Sequence, residues 1–172
     1  MTTYTKNTPG APVGNYAAGD LVIDSLNNVW KCVVPGSDSQ FAPAPANVRS
    51  LTAAATLTAA DSGGTFILNS TTAFDVALPA LQRNLSFEFI VGAVPSATQH
   101  TITPADADKI VGRVFTLDGG TAGDTEDTLG GDVVNFVNGA TVIGDRAKFW
   151  CDGTSWFVEA HAKVPTGITI TG

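Results

Sequence analysis

Residues 144–162, GDRAKFWCDGTSWFVEAHA, constrain the fold more than any other stretch of this chain. Ala147, Phe149 and Cys151 recur at every second position, Asp152-Gly153 follows, and Trp156 and Val158 resume the alternation. Side chains of a strand point alternately to its two faces, so each half of the stretch presents one apolar face. Asp-Gly between two such runs marks a β-hairpin, because both residue types tolerate the positive φ of a tight turn. The chain is therefore expected to close on an antiparallel pair turning at Asp152-Gly153.

The same period recurs upstream. In LSFEFIVG, Leu85, Phe87, Phe89 and Val91 share one face. Further short runs are expected at Gly64–Asn69, Ala73–Leu78, His100–Thr103, Lys109–Leu117, Asp132–Val137, Ala140–Ile143 and Ile168–Thr171. Short strands at such regular spacing predict an all-β fold, a β-sandwich or a jelly-roll-like barrel. Helical signal is poor. Ser50–Ala60 is rich in alanine, but its threonines and its lack of an apolar stripe leave helix and strand in contest. Pro79–Asn84 has room for a single helical turn.

Residues 1–48 read differently from residues 49–172. Five prolines punctuate them (Pro9, Pro12, Pro35, Pro43 and Pro45), and strand-like runs occur only at Asp20–Asp24 and Val29–Val34. Asn27-Asn28 supplies the turn between those runs. The segment from Phe41, FAPAPA, reads as an extended linker, since each proline pushes its predecessor out of helical space. The expected organisation is an extended N-terminal arm (Thr2–Gly14) with a small β module in 1–48, followed by a sandwich or jelly-roll domain in 49–172. So short a first segment buries little core and is expected to lean on a neighbour or on an oligomer partner.

Composition narrows the function. Charged residues make up 15% of the chain and the net charge is −7, with pI near 4.5 and mean hydropathy +0.16. Nine scattered basic residues form no patch for phosphates, so nucleic acid is not an expected partner. No apolar run approaches the ~18 residues of a membrane helix, and MTTYTKNTPG lacks the basic and apolar regions of a secretory signal. Without export, Cys32 and Cys151 are expected to be buried thiols, a disulfide between them being the alternative. Neither has a second ligand at metal spacing.

Residues 49–172 resemble a module of tailed-bacteriophage virion proteins. The resemblance is carried by LTAADSGGTFILN (Leu57–Asn69), VALPAL (Val76–Leu81), LSFEFIVG (Leu85–Gly92), KIVG (Lys109–Gly112) and GDRAKFWCDGTSWFV (Gly144–Val158). It implies a β-rich exterior component, often trimeric, of the kind found in capsid decoration (cement) proteins and tail fibres. YAAGDLVIDSLNNVWKCVVPG is similar to small chitin-binding-type carbohydrate-binding modules through Tyr16, Gly19, Asp20, Val22 and Trp30. The further tryptophan that would close such a module has no counterpart; the nearest aromatic is Phe41.

Several residues are candidates for a site. Tyr16, Trp30 and Phe41 are expected to form the miniature core of the first segment, or alternatively a platform on which sugar rings stack. Trp150 and Trp156 are expected to be buried or to lie at a subunit interface, where tryptophan is enriched. LDGGTAGDTEDTLGGD (Leu117–Asp132) gathers Asp118, Asp124, Glu126, Asp127 and Asp132. It reads as an exposed contact loop, with calcium as the sharper alternative. His100 and His161 begin no metal-ligand spacing, and no nucleophile elbow or phosphate-binding glycine motif occurs. Asp106 and Asp108 would be the acid–base pair of a glycan-cleaving enzyme. No cofactor is expected.

The reading these features favour is a non-enzymatic capsid decoration protein of the virion's outer surface, assembled in the host cytoplasm. Its expected partner is the major capsid protein, its expected state a homotrimer. A short chain beginning at Met1 suits that role better than a long fibre. The alternative is a tail-fibre or receptor-binding component that recognises a host glycan.

Overall fold

The computed structural model describes residues 2–5, 13, 16–17, 20–23, 29–34, 40–43, 48–107, 109–116 and 126–172, with backbone alone at 23, 29–31, 33–34, 40–43 and 126–130. The chain divides into two compact units, Met1–Ala46 and Asn47–Gly172. Among the described residues no helix is long and apolar enough to cross a membrane.

The first unit is a sheet in the order β1-β2-β3-β4, formed by β1 (Thr3–Thr5), β2 (Leu21–Ile23), β3 (Val29–Val34) and β4 (Gln40–Pro43). Thr3–Thr5, the expected start of a free arm, instead pairs in parallel with β2. The buried carboxylate of Asp20 holds it there, accepting the N–H of Thr2 at 2.8 Å and that of Ala17 at 3.1 Å. Residues 6–12 and 14 of the expected arm lie outside the described residues. Part of the expected linker is a strand as well, since Phe41, Ala42 and Pro43 face Cys32, Lys31 and Trp30 on β3.

The second unit is a β-sandwich, and its first half is built by alternation. The chain lays β5 (Val48–Leu51) in one sheet, β6 (Ala55–Thr56) in the other, then β7 (Gly64–Leu68), β8 (Asp75–Ala77), β9 (Ser86–Val91) and β10 (His100–Thr103) in turn. Each strand returns beside its predecessor in parallel, in the pairs β5–β7–β9 and β6–β8–β10. A crossover through the facing sheet is what permits parallel neighbours. Ser50–Ala60, contested in the sequence, thus supplies the end of β5, all of β6 and the start of a single 3₁₀ turn at Ala59–Asp61.

The second half comprises β11 (Ile110–Thr116), β12 (Glu126–Gly131), β13 (Val133–Phe136), β14 (Arg146–Cys151), β15 (Trp156–Ala162) and β16 (Ile168–Thr171). It closes the sandwich with antiparallel pairs, except that β11 and β15 run in parallel. Among the described residues the large sheet runs β12-β11-β15-β14-β9-β7-β5 and the small one β16-β13-β10-β8-β6. The β14–β15 hairpin therefore sits between β9 and β11. Its turn is a four-residue loop, with Cys151 opposite Trp156; a two-residue turn would have paired Cys151 with Thr154. Only Gly153 takes positive φ (94°). The Asp152 carboxylate holds the loop by accepting the Thr154 N–H and hydroxyl at 2.8 and 2.7 Å and the Ser155 N–H at 2.9 Å.

The core lies between the sheets. Rows run across strands, such as Phe66, Phe89, Ala147, Ala160 and Val114 in the large sheet and Val76, Ile102, Val134 and Ile170 in the small one. All are buried. Each fully buried Phe, Leu, Ile or Val contributes about 1.5–3 kcal/mol, so the alternating pattern read from the sequence is also the main source of stability. Trp156 stands in this core with Phe87 and Phe149, its ring 5.7 and 6.4 Å from theirs.

Ala140–Ile143, expected as a strand, is a turn. The buried Asp145 carboxylate accepts the Thr141 hydroxyl, the Val142 N–H and, across the next turn, the Lys163 N–H at 2.9–3.0 Å. Those bonds supply locally what a strand would have found in a sheet.

Candidate functional site

The two outer faces of the sandwich differ in chemistry. On the small sheet, Asp75 accepts the hydroxyls of Thr101 and Thr103 at 2.8 and 2.6 Å, and the Asn135 amide donates to Thr171 Oγ1 at 3.1 Å. That face is polar and internally bonded. The large sheet carries exposed aromatics instead. Trp150 on β14 faces Phe157 on β15, and they are 44% and 42% exposed. The row continues to Ser86 on one side and Val111 on the other.

A charge ladder runs beside this row. Glu88, Lys148, Glu159 and Arg113 stand opposite one another on β9, β14, β15 and β11, and the register adds Asp127 on β12. Opposite charges across strands contribute about 0.2–1 kcal/mol each, and the Lys148–Glu88 pair is loose at 3.9 Å. Beyond the ladder, His161 stacks on Phe115 at 5.3 Å and its Nε2 lies 3.0 Å from Glu159.

Trp150 also walls a depression of about 200 Å³, lined by Gly63, Gly64, Thr65, Ser86, Glu88 and Lys148 among others. Sequence alternation places Trp150 outward, but Phe157, Thr65, Ser86, Glu88 and Lys148 were not visible as candidates. Only the register across β7, β9, β14 and β15 brings them to one place.

The other sequence candidates are dispersed. Trp156 is wholly buried, so it is a core residue and offers no stacking surface. Tyr16 is half-buried and meets Tyr4 edge-on at 5.3 Å, while the side chains of Trp30 and Phe41 lie outside the described residues. Cys32 and Cys151 are buried thiols, and no disulfide joins them. Asp118 and Asp124 lie outside the described residues. Glu126 and Asp127, expected in a loop, belong to β12, and Asp132 follows it with its N–H donated to Thr171 O. Among the described residues no group of three or more His, Cys, Asp or Glu is placed to hold a metal ion. Asp106 is exposed and Asp108 lies outside the described residues.

Titratable groups with displaced pKa values serve structure. The Thr154 hydroxyl, followed by the N–H groups of Thr154 and Ser155, holds Asp152 below the usual carboxylate range. The Thr58 N–H does the same for Asp61, which also pairs with Arg49. Burial lowers the pKa of His100, whose Nδ1 accepts the Phe74 N–H at 3.3 Å and whose Nε2–H donates to Ser70 O at 3.0 Å. That geometry fits the neutral ring, with one nitrogen accepting and the other donating.

No known protein family, curated protein or solved structure matches the chain.

Proposed function

We propose that this chain is a non-enzymatic structural protein of a tailed-phage virion, a decoration protein that stabilises the head by bridging major capsid subunits from outside. The observation that carries this reading is the outer face of the large sheet. Its exposed Trp150–Phe157 pair, extended by Val111 and bordered by the alternating charges of Glu88, Lys148, Glu159 and Arg113, has the composition of a protein interface. Aromatic residues anchor such interfaces and charged residues rim them. The chemistry is mechanical. Burial of that row against neighbouring capsid subunits, three copies to a symmetry point, would oppose their separation when DNA pressurises the head. The resemblance of residues 49–172 to phage virion modules supports the same assignment.

The test is to add the purified chain to tail-less heads that lack it and image them by electron cryomicroscopy. Ordered density at threefold or quasi-threefold positions is expected, with occupancy falling at least about tenfold in Trp150→Ala/Phe157→Ala, as for paired hot-spot anchors. Heads that stay bare would overturn the proposal and move the chain to the tail fibre.

A further inference from the structure

We propose that the depression beside Trp150 is a binding site for one neutral sugar ring. Trp150, Glu88 and Lys148 also belong to the face proposed for capsid docking, but sugar binding by the isolated chain does not depend on that docking.

The shape comes from missing side chains. In the row of Trp150, β9 contributes only Ser86, and the Gly63 N–H is bonded to Ser86 O at 2.8 Å, so the next position across carries no side chain. Gly63 has φ of 78°, and a Cβ there would meet nothing within 4 Å. Phe157 flanks the indole on one side, but on its β9 side only the short Ser86 side chain stands beside it. At about 200 Å³ the depression is smaller than the roughly 300–1,000 Å³ pockets that enclose a whole small molecule. It suits one ring of a longer ligand.

The chemistry of the lining selects the ring. Trp150 contributes an aromatic side chain to the wall, suited to an apolar C–H surface. The other groups are the Thr65 hydroxyl, the Glu88 carboxylate, the Lys148 ammonium and Ser86. Thr65 Oγ1 donates to Glu88 Oε2 at a long 3.3 Å, and Lys148 stands 3.9 Å from Glu88. A carboxylate offers about four acceptor positions and an ammonium three donors, so both retain capacity for hydroxyls that donate and accept. One negative and one positive charge cancel, which disfavours phosphates and favours a neutral ligand. An apolar ring face edged by hydroxyls is the surface of a pyranose.

The test follows the indole N–H signals of the ¹⁵N-labelled full chain by NMR, with Trp150 assigned through Trp150→Phe. Glucose, galactose and N-acetylglucosamine are titrated to about 50 mM, since a single ring reaches dissociation constants of about 1–10 mM. A saturable shift of the Trp150 signal with at least one sugar is expected. Ser86→Leu, which fills the depression from the exposed face, should weaken it at least tenfold while the buried Trp156 signal stays in place. Absence of a saturable shift with all three sugars, or a shift that survives Ser86→Leu, overturns the proposal.

Discussion

Replacing Phe89 with Ala tests the assignment of the core face most directly. Phe89 is wholly buried on β9, and its ring lies 5.5 Å from Phe66 and 5.4 Å from Phe149. Removing the ring forfeits about 1.5–3 kcal/mol of burial and two aromatic contacts of about 0.5–1.5 kcal/mol each. The site cannot collapse to recover them. Its cross-strand neighbour on β14 is Ala147, too short to reach in, and β7 and β14 hold β9 from both sides. A loss of about 3–5 kcal/mol is therefore expected, in line with buried Phe→Ala substitutions. Urea melts give the value, provided the slope is unchanged so that the midpoint reports stability alone. Phe157→Ala, two strands away and on the outer face, should stay within about 0.5 kcal/mol. A Phe89→Ala loss below about 1 kcal/mol, or equal losses at the two sites, would refute the reasoning.

Other substitutions probe separate devices. Asp145→Ala strands the Thr141 hydroxyl and the Val142 and Lys163 N–H groups, and should cost about 2–4 kcal/mol by urea melts: about 1–3 kcal/mol for the buried Thr141 hydroxyl, and less for the half-buried Val142 and the exposed Lys163, whose N–H groups water can reach. Gly112→Ala places a Cβ 2.6 Å from Val158 O and 2.8 Å from Val158 Cβ; a loss of about 1–3 kcal/mol is expected from overpacking. Gly144→Ala meets nothing within 4 Å and has only its φ of 95° to pay for, about 1–2 kcal/mol. His100 gives a pH dependence. Its folded pKa lies below the unfolded value of about 6.5, so its neutral form contributes full stability above that pH. As pH falls below about 6.5 the unfolded chain takes the proton first, and stability drops by up to about 1.4 kcal/mol per pH unit until the folded pKa is passed. In His100→Gln, melts between pH 7 and pH 5 should lose that slope, leaving the carboxylates Asp20, Asp61 and Asp152 to act at lower pH.

The strand faces were legible because alternation is a local signal. LSFEFIVG and the closing hairpin each declare which residues point inward, and Phe87, Phe89, Phe149 and Trp156 all do. What failed was decided by partners distant in sequence or by single side chains. Ala140–Ile143 has strand composition, yet one carboxylate, Asp145, fastens it as a turn. Glu126–Gly131 has loop composition, yet the open edge of β11 recruits it as β12. The hairpin register shifted because Asp152 bonds to its own loop rather than entering positive φ. The candidate site was hidden for the same reason: Trp150 stood out alone, while Ser86, Glu88 and Lys148 join it only through pairings that no local pattern specifies.

The strand order of the large sheet also sets a sequence of events at the ribosome. The alternating coils β5–β10 and the β11–β12 pair are complete before residues 146–162 exist, yet β14 and β15 are the wedge that joins them. Until then β9 and β11 each present a bare edge, with Phe87, Phe89, Ile110 and Val114 uncovered beside it. Such edges template pairing between chains. A nascent chain stalled before Gly144 is thus two half-sheets waiting for their centre, exposed to aggregation, and the last hairpin to be made is the one that ends the hazard.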